Sequence, residues 1–469
     1  MNKNKKEPVT LMEAESMESQ NESFSGRMGY VLATAASAVG LGNIWRFPYL
    51  CAKYGGGIFL IIYLLLVVTF GYALMMSETA IGRKTGKSPI GAFKYFSKSR
   101  WAKVGGFINA AVPFLIAPYY AVIGGWVIKY MVEYIRGNTS VLASDSYFGG
   151  FISNSAQAEL YFAVFAVITL VIILGGVQKG IERISKIMMP LLIVLAIVVS
   201  IYSITRPGAF AGVKYMFIPN IHNFSVMTIV SALGQMFFSL SIAMGILYTY
   251  GSHANKDIDL EKSAGEIELF DTLIAILAGL MIIPAVFAFS GGDPKVLSAG
   301  PSLMFVTLPK VFASMGLGTP TGIVFFLLVL LAALTSAVSI TEACVGTIMD
   351  ELSWNRKKST LLFGIFTLVI GTASSLGYGV WSNVRIIGMQ ILDFFDFLTN
   401  SVMMPIAALA TCILVFHVIT IKAMDAEIEL TSKFKRKKLY NFSIKWLCPL
   451  FLVVILVSSI LNAFGIISM

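Results

Sequence analysis

The sequence has little charge. Asp, Glu, Lys and Arg together supply 13% of its 469 residues, and hydrophobic types supply 57%. Soluble domains carry about twice that charge, because a water-facing surface needs it, so the composition excludes an ordinary water-soluble globule. Histidine is scarcer still: His222, His253 and His417 are too scattered for a metal centre or a histidine-based catalytic centre. The four cysteines, Cys51, Cys344, Cys412 and Cys448, sit in or beside apolar runs without metal-ligand spacing and read as packing residues. Residues 1–27 are polar and mixed in charge, with no apolar core ahead of a small-residue cleavage site. That argues against a signal peptide and for a flexible cytoplasmic tail. No nucleophile–base pair or metal motif stands out, so an enzyme is not expected.

What the chain has instead is long uncharged runs. Eleven windows of at least 18 residues contain no Asp, Glu, Lys or Arg: 28–45, 57–77, 104–128, 160–178, 187–205, 223–252, 272–292, 311–341, 359–384, 397–421 and 446–469. Each can hold a helix crossing about 30 Å of hydrocarbon. The expected fold is all-α: a tail (1–27) and one polytopic domain (28–469) of eleven spans in the lipid bilayer. Basic residues set the orientation. With the N-terminus inside, 26 of the 35 Lys and Arg fall on inner segments, predicting a cytoplasmic N-terminus and an extracytoplasmic C-terminus in a cell membrane. The net charge of +10 is mostly this topology signal and needs no nucleic-acid partner. Oligomeric state is not legible.

Spans 1–5 and 6–10 would form two halves, about 28–205 and 223–421, with an extra C-terminal helix at about 446–467. An odd number of crossings per half inverts the second half relative to the first, a plan found in secondary transporters. Both halves begin with an interrupted span. In the first, residues 35–48 start as a membrane helix, but Gly40 and Gly42 weaken it at mid-membrane depth. Polar Asn43 and charged Arg46 follow at once. In the second, Phe237-Phe238-Ser239-Leu240-Ser241-Ile242-Ala243-Met244-Gly245 lies at the matching place. Small residues in spans often serve close helix packing, which is the competing reading for any single Gly. Two matched interruptions beside polar groups point instead to a site for a small charged solute, since unwound backbone at this depth must be buried in protein or line a cavity.

At these residues the chain resembles the neurotransmitter:sodium symporter family, above all its bacterial amino-acid transporters. The resemblance rests on Gly-Leu-Gly-Asn-Ile-Trp-Arg-Phe-Pro (40–48), Gly55-Gly56-Gly57, Glu78 before Gly82-Arg83, Tyr119-Tyr120, Gly234-Gln235 before Phe237-Phe238-Ser239, and Leu334-Thr335-Ser336. It implies an inverted five-plus-five repeat with spans 1 and 6 unwound mid-membrane, and sodium-coupled symport of an amino acid by alternating access. One Na⁺ would bind the Ala38 carbonyl, Asn43, Ser239 and the substrate carboxylate. A second would bind the carbonyls of Ala36, Val39 and Ala332 with the hydroxyls of Thr335 and Ser336. The substrate carboxylate would meet amides near Leu41 and Gly42 and the Tyr120 hydroxyl. Its ammonium would meet the carbonyls of Ala38 and Phe238, and Ser241. The side-chain pocket maps onto Ile116, Phe238, Ser241, Ala243, Met244, Ser336 and Ile340. None of these is ionisable, so a neutral amino acid is expected. Ile116 and Ala243 stand where the family's bacterial leucine transporter has smaller residues, which favours small neutral substrates, although Met244 is adaptable.

The same resemblance suggests gates. Arg46 and Asp396 would close above the substrate, with Phe238 and Tyr120 as an aromatic lid; two unrelated boundary charges are the alternative. Gly180 and Pro190 match a glycine-nine-residues-proline motif that lets span 5 unwind, against an ordinary proline kink. At the inner gate, Asn21 and Phe24 replace an Arg and a Trp, His253 replaces a Tyr and Glu342 a Gln. Asp350 keeps the acidic partner, with its cation expected from Arg27 or the basic tail. Asp271 falls one residue from a sodium-ligating Asn of the leucine transporter when counted back from Pro284. It reads either as a helix-start acid facing the cytoplasm or as a fixed negative charge at the first sodium site that makes chloride unnecessary. Na⁺ is the only inorganic requirement expected, with no organic cofactor. A proton-coupled transporter of this fold and a non-transporting amino-acid sensor are the alternatives.

Overall fold

The computed structural model describes residues 23–292 and 301–463. Among them, nine helices are long and apolar enough to cross a membrane. They are Gly57–Thr85 (span 2), Arg100–Ile135 (span 3), Ser155–Leu174 (span 4), Val177–Ile204 (span 5), Leu260–Ser290 (span 7), Gly318–Leu352 (span 8), Arg356–Leu376 (span 9), Ile391–Ile419 (span 10) and Lys437–Asn462 (span 11). Two broken spans complete eleven. Span 1 runs as Arg27–Ala38, then Gly42–Arg46 and Phe47–Lys53; span 6 runs as Val226–Ser239, then Ile246–Ser252. Most of the expected tail, Asn21 included, lies outside the described residues, as does the last part of the C-terminal window.

Several helices extend well past their uncharged windows. Span 7 was expected from 272 but starts at Leu260, where the Asp259 side chain caps the Lys262 N–H. Span 11 starts at Lys437 instead of about 446. A charge-free window marks only the part in hydrocarbon, whereas a helix continues through the polar interface until a cap stops it. Asn154, Ser225 and Asn355 cap spans 4, 6 and 9 in the same way.

The spans pack in two sets. Spans 3, 4, 8 and 9 contact one another, as do spans 1, 2, 6 and 7. The two sets meet where span 1 and the second piece of span 6 pack on span 8. Both helix breaks therefore lie on the seam between the sets.

Candidate functional site

Breaking a helix leaves terminal N–H and C=O groups without intrahelical partners. In span 1 the helix ends at Ala38 and Val39 turns to extended backbone (φ −77°, ψ 95°). Side chains from other spans take up the freed groups. Ser336 of span 8 donates to the Ser37 and Val39 carbonyls (3.2 and 3.3 Å). Gln235 of span 6 donates to the Gly42 carbonyl (3.1 Å), and the Leu41 N–H donates to the Tyr120 hydroxyl (3.4 Å). The two glycines are explained by proximity: a Cβ at Gly40 would stand 2.5 Å from the Ser336 hydroxyl, and one at Gly42 would stand 2.5 Å from the Phe238 ring.

In span 6 the chain leaves the helix after Ser239 and rejoins it at Ile246, with Ser241 and Ala243 at φ 54° and 59°. Left-handed backbone in residues that bear a Cβ is strained. Two contacts hold it: Ser241 donates to the Ser37 carbonyl (3.1 Å), and the buried Glu78 carboxylate accepts the Ala243 N–H (3.0 Å). Glu78 was visible as part of a motif, but its place beneath this break was not legible.

Asp271 sits at neither a helix start nor a surface. It is the twelfth residue of span 7 and fully buried. Its carboxylate accepts from the Asn43 amide (2.8 Å), the Ser239 hydroxyl (2.7 Å) and the Tyr63 hydroxyl (2.9 Å). The helix-facing-cytoplasm alternative is thereby excluded. Tyr63, on span 2, is a member of this cluster that sequence reasoning missed. Two further expected groups meet at span 8, where Thr335 donates to its own helix at the Ala332 carbonyl (3.0 Å) while Ser336 reaches the Val39 carbonyl. Ala36 is buried in the span 1 helix just before the break. Both clusters offer only hard oxygen acceptors, the donor type that suits an alkali cation.

Between the clusters lies a cavity of about 20 Å³, room for about one water. Its lining includes Ala38, Leu41, Gly42, Ile116, Tyr120, Phe238, Ser239, Ser241, Met244, Ser336 and Ile340, joined by Ser37, Gly40 and Asn43, and contains no Asp, Glu, Lys, Arg or His. Ala243 is the expected pocket residue that does not line it. It stands at positive φ with its N–H bonded to Glu78, outside the lining, so Ile116 alone carries the size argument.

Above this cavity a vestibule of about 370 Å³ is lined by Trp45, Arg46, Tyr49, Asp393 and Asp396. Leu41, Tyr120 and Phe238 line both spaces and form the partition. Arg46 stacks over the Phe238 ring at 5.7 Å, while Asp396 accepts from Tyr119 (3.2 Å) and Asn400 (2.6 Å). Arg46 and Asp396 thus face one vestibule without a direct ion pair.

The opposite side is closed. Phe24 is 1% exposed and packs edge-on against Tyr30, Tyr250 and His253. Its N–H donates to the His253 carbonyl (3.0 Å). Ser25 bonds Glu182 of span 5, and Arg27 pairs with Glu266 of span 7 (2.5 Å). Arg27 is not the cation of Asp350: it is committed to Glu266, and Asp350 accepts the Ser88 N–H (2.5 Å) ahead of the helix Pro89–Phe96, while the lysines of the tail lie outside the described residues. Glu342, fully buried on this side, is held by both terminal nitrogens of Arg356 (2.6 and 2.8 Å) with His253 at 3.3 Å. Arg356 carried no signal in the sequence beyond its place at a helix start. Gly180 lies in a π-helical turn, Val177–Glu182, and Pro190 lies inside the wound helix Arg183–Ile204.

The comparisons agree with this geometry. The model of the sodium:neurotransmitter symporter family matches residues 21–147 and 147–466. An uncharacterized sodium-dependent transporter of Bacillus subtilis (strain 168) is 36% identical over 451 residues, covering 95% of this chain and 98% of the relative. One from Haemophilus influenzae is 33% identical, covering 94% and 98%. Among solved structures, the crystal structure of MhsT in complex with L-phenylalanine is 38% identical with a TM-score of 0.84, covering 93% of this chain and 99% of that one. The fold is that of the family, all-α with the inverted repeat and broken spans 1 and 6, and the transport it supports is sodium-coupled. This chain belongs to the sodium:neurotransmitter symporter family.

Proposed function

We propose that the protein carries a neutral amino acid together with Na⁺ by alternating access. The observation that carries this reading is the cavity at the two breaks: its lining has freed backbone groups for a zwitterion's two charges and no ionised side chain for a third. A charged substrate side chain would be buried there without a partner, at a cost of several kcal/mol. A solved relative with bound L-phenylalanine supports the amino-acid class.

Two Na⁺ would sit at the clusters. The first would take the Ala38 carbonyl, Asn43, Ser239, Asp271 and the substrate carboxylate. The second would take the carbonyls of Ala36, Val39 and Ala332 with Thr335 and Ser336. Asp271 supplies a fixed negative charge, so chloride is not required. The substrate carboxylate would lie at Leu41, Gly42 and Tyr120, and its ammonium at Ala38, Phe238 and Ser241. We assign small neutral side chains to the pocket, on the grounds that Ile116 narrows it.

In this reading the vestibule faces the outside, and the N-terminus lies in the cytoplasm of a cell with this protein in its plasma or inner membrane. Substrate would enter past Phe238 and Tyr120, and approach of Arg46 to Asp396 would close the vestibule. Opening inward would need Phe24 to leave His253 and span 5 to loosen between Gly180 and Pro190, where Pro190 supplies no N–H to the helix. Binding of radiolabelled alanine to the purified protein in Na⁺, K⁺ and choline media, over a range of pH, tests the assignment. Alanine binding that requires Na⁺ at every pH supports it. Equal binding in K⁺ that tracks pH would favour proton coupling and overturn it.

A further inference from the structure

Among the described residues, Lys445 stands in a membrane span with aromatic rings and no carboxylate beside its ammonium. Lys445 is the ninth residue of span 11, which begins at Lys437. It therefore lies about 12 Å along the helix axis from the span's first residue. Its side chain is exposed. The ammonium stacks 5.2 Å from the Trp446 ring and 5.7 Å from the ring of Phe416, at the inner end of span 10. Lys437 shows the contrast: it pairs with Asp425 and Glu429 at 3.2 and 3.0 Å. Among the described residues no carboxylate comes within 4 Å of Lys445.

Cations outnumber acids around it, and the acids on this face are already paired: Glu427 with Arg83 and Lys84, Glu268 with Arg436, and Asp425 and Glu429 with Lys437. From residue 430 to the last residue the chain has no Asp or Glu, but it has Lys433, Lys435, Arg436, Lys437, Lys438 and Lys445. The stretch 82–110 likewise holds seven cations and no acid. Its helix Pro89–Phe96 packs on the inner end of span 10, Leu414–Ile419. Large apolar side chains stand exposed beside the cations: Trp446 at 60% and Phe442 at 54%.

A lysine on a lipid-facing span is costly unless its head reaches the interface or finds a counter-ion. Aromatic rings hold the position of the ammonium but carry no net charge to neutralise it. Exposed Trp and Phe alongside the cations mark the level where headgroups meet acyl chains. A soluble acidic partner would match the charge but not these rings. We propose that the face where Lys445 of span 11 meets Phe416 of span 10 binds the phosphate of an anionic phospholipid, with Lys445 as its direct ligand and Phe416 and Trp446 as the clamp. The proposal rests on the inward orientation of this face given above. Lys438 and the 82–110 stretch supply the supporting field.

Native mass spectrometry of the full chain from vesicles of phosphatidylcholine with and without phosphatidylglycerol tests this. Wild type is expected to retain phosphatidylglycerol and to be stabilised against heat by it. One lysine near the surface contributes about 1 kcal/mol, so Lys445→Gln should retain it about five-fold less well, and Lys445→Arg should restore retention. Sodium-dependent alanine binding in phosphatidylcholine alone should be the same in all three, so failure here is separable from failure of the transport reading. Equal retention and equal stabilisation of wild type and Lys445→Gln would overturn the site. Stabilisation by inorganic phosphate as strong as by the lipid would overturn its assignment to a headgroup.

Discussion

Replacing Asp271 by Asn separates the charge of the first cluster from its shape. The amide oxygen can take the place of Oδ1, where the Asn43 amide and Ser239 hydroxyl both donate at 2.8 and 2.7 Å. The amide nitrogen then faces the Tyr63 hydroxyl, 2.9 Å from Oδ2 in the wild type. That hydroxyl need only rotate to accept, so the fold should lose about 1 kcal/mol or less. The ion loses more. A carboxylate about 4 Å from a cation at an effective dielectric constant near 20 contributes about 4 kcal/mol, and desolvation of the two charges cancels part of it. A net loss of about 1.4–2.8 kcal/mol corresponds to ten- to hundred-fold weaker Na⁺ binding. Sodium titration of alanine binding, read beside a melting curve, measures both effects. Asp271→Asn should shift the titration to higher Na⁺ with the melting temperature in K⁺ nearly unchanged. Asp271→Ser should in addition gain stimulation by chloride or lose activity. An unchanged sodium titration in Asp271→Asn, or wild-type uptake that needs chloride, would refute the assigned role.

Other expectations follow from the same contacts. Thr335→Val with Ser336→Ala removes two hydroxyls opposite the span 1 break and should raise the sodium requirement at least ten-fold while membrane insertion, read by expression, persists; unchanged sodium activation would count against the second cluster. Asp396→Ala should leave Arg46 on Phe238 without its closing partner, so an engineered vestibule cysteine should stay reactive in Na⁺ plus substrate, where wild type becomes protected. Ile116→Val removes one methylene from the cavity wall and should shift preference toward larger neutral amino acids by about 1–3 kcal/mol; a competition panel with tryptophan or tyrosine as the tightest wild-type ligands would contradict the size argument. Ala243→Gly should relieve strain at φ 59° and loosen the unfolded chain by a similar amount, about 1 kcal/mol, leaving both the melting temperature and substrate preference nearly unchanged. A marked shift in preference would return Ala243 to the pocket wall.

The sequence announced the span 1 break because its cause is local: Gly40 and Gly42 weaken a helix wherever they stand, whereas the span 6 break is held by distant Ser37 and Glu78. It under-read helix ends at Leu260 and Lys437, because charge-free runs measure hydrocarbon and not helix. Partners brought together by topology were beyond it. Tyr63 and Asp271 are 208 residues apart, and Gln235 and Gly42 are 193 apart, so no spacing links them. The inner gate is illegible for the same reason: Asp350 accepts the N–H of Ser88, 262 residues away, and Glu342 takes the bidentate ion pair with Arg356. The position of Ala243 in a motif suggests a pocket residue, whereas the backbone at φ 59° leaves it outside the cavity lining.

The most direct test of the account is accumulation of radiolabelled alanine in proteoliposomes under an inward Na⁺ gradient. Uphill uptake that collapses when Na⁺ is equal on both sides, and that persists with gluconate in place of chloride and without a proton gradient, is the predicted result. Sodium-dependent binding with no accumulation, or uptake driven by a proton gradient in the absence of Na⁺, would contradict it.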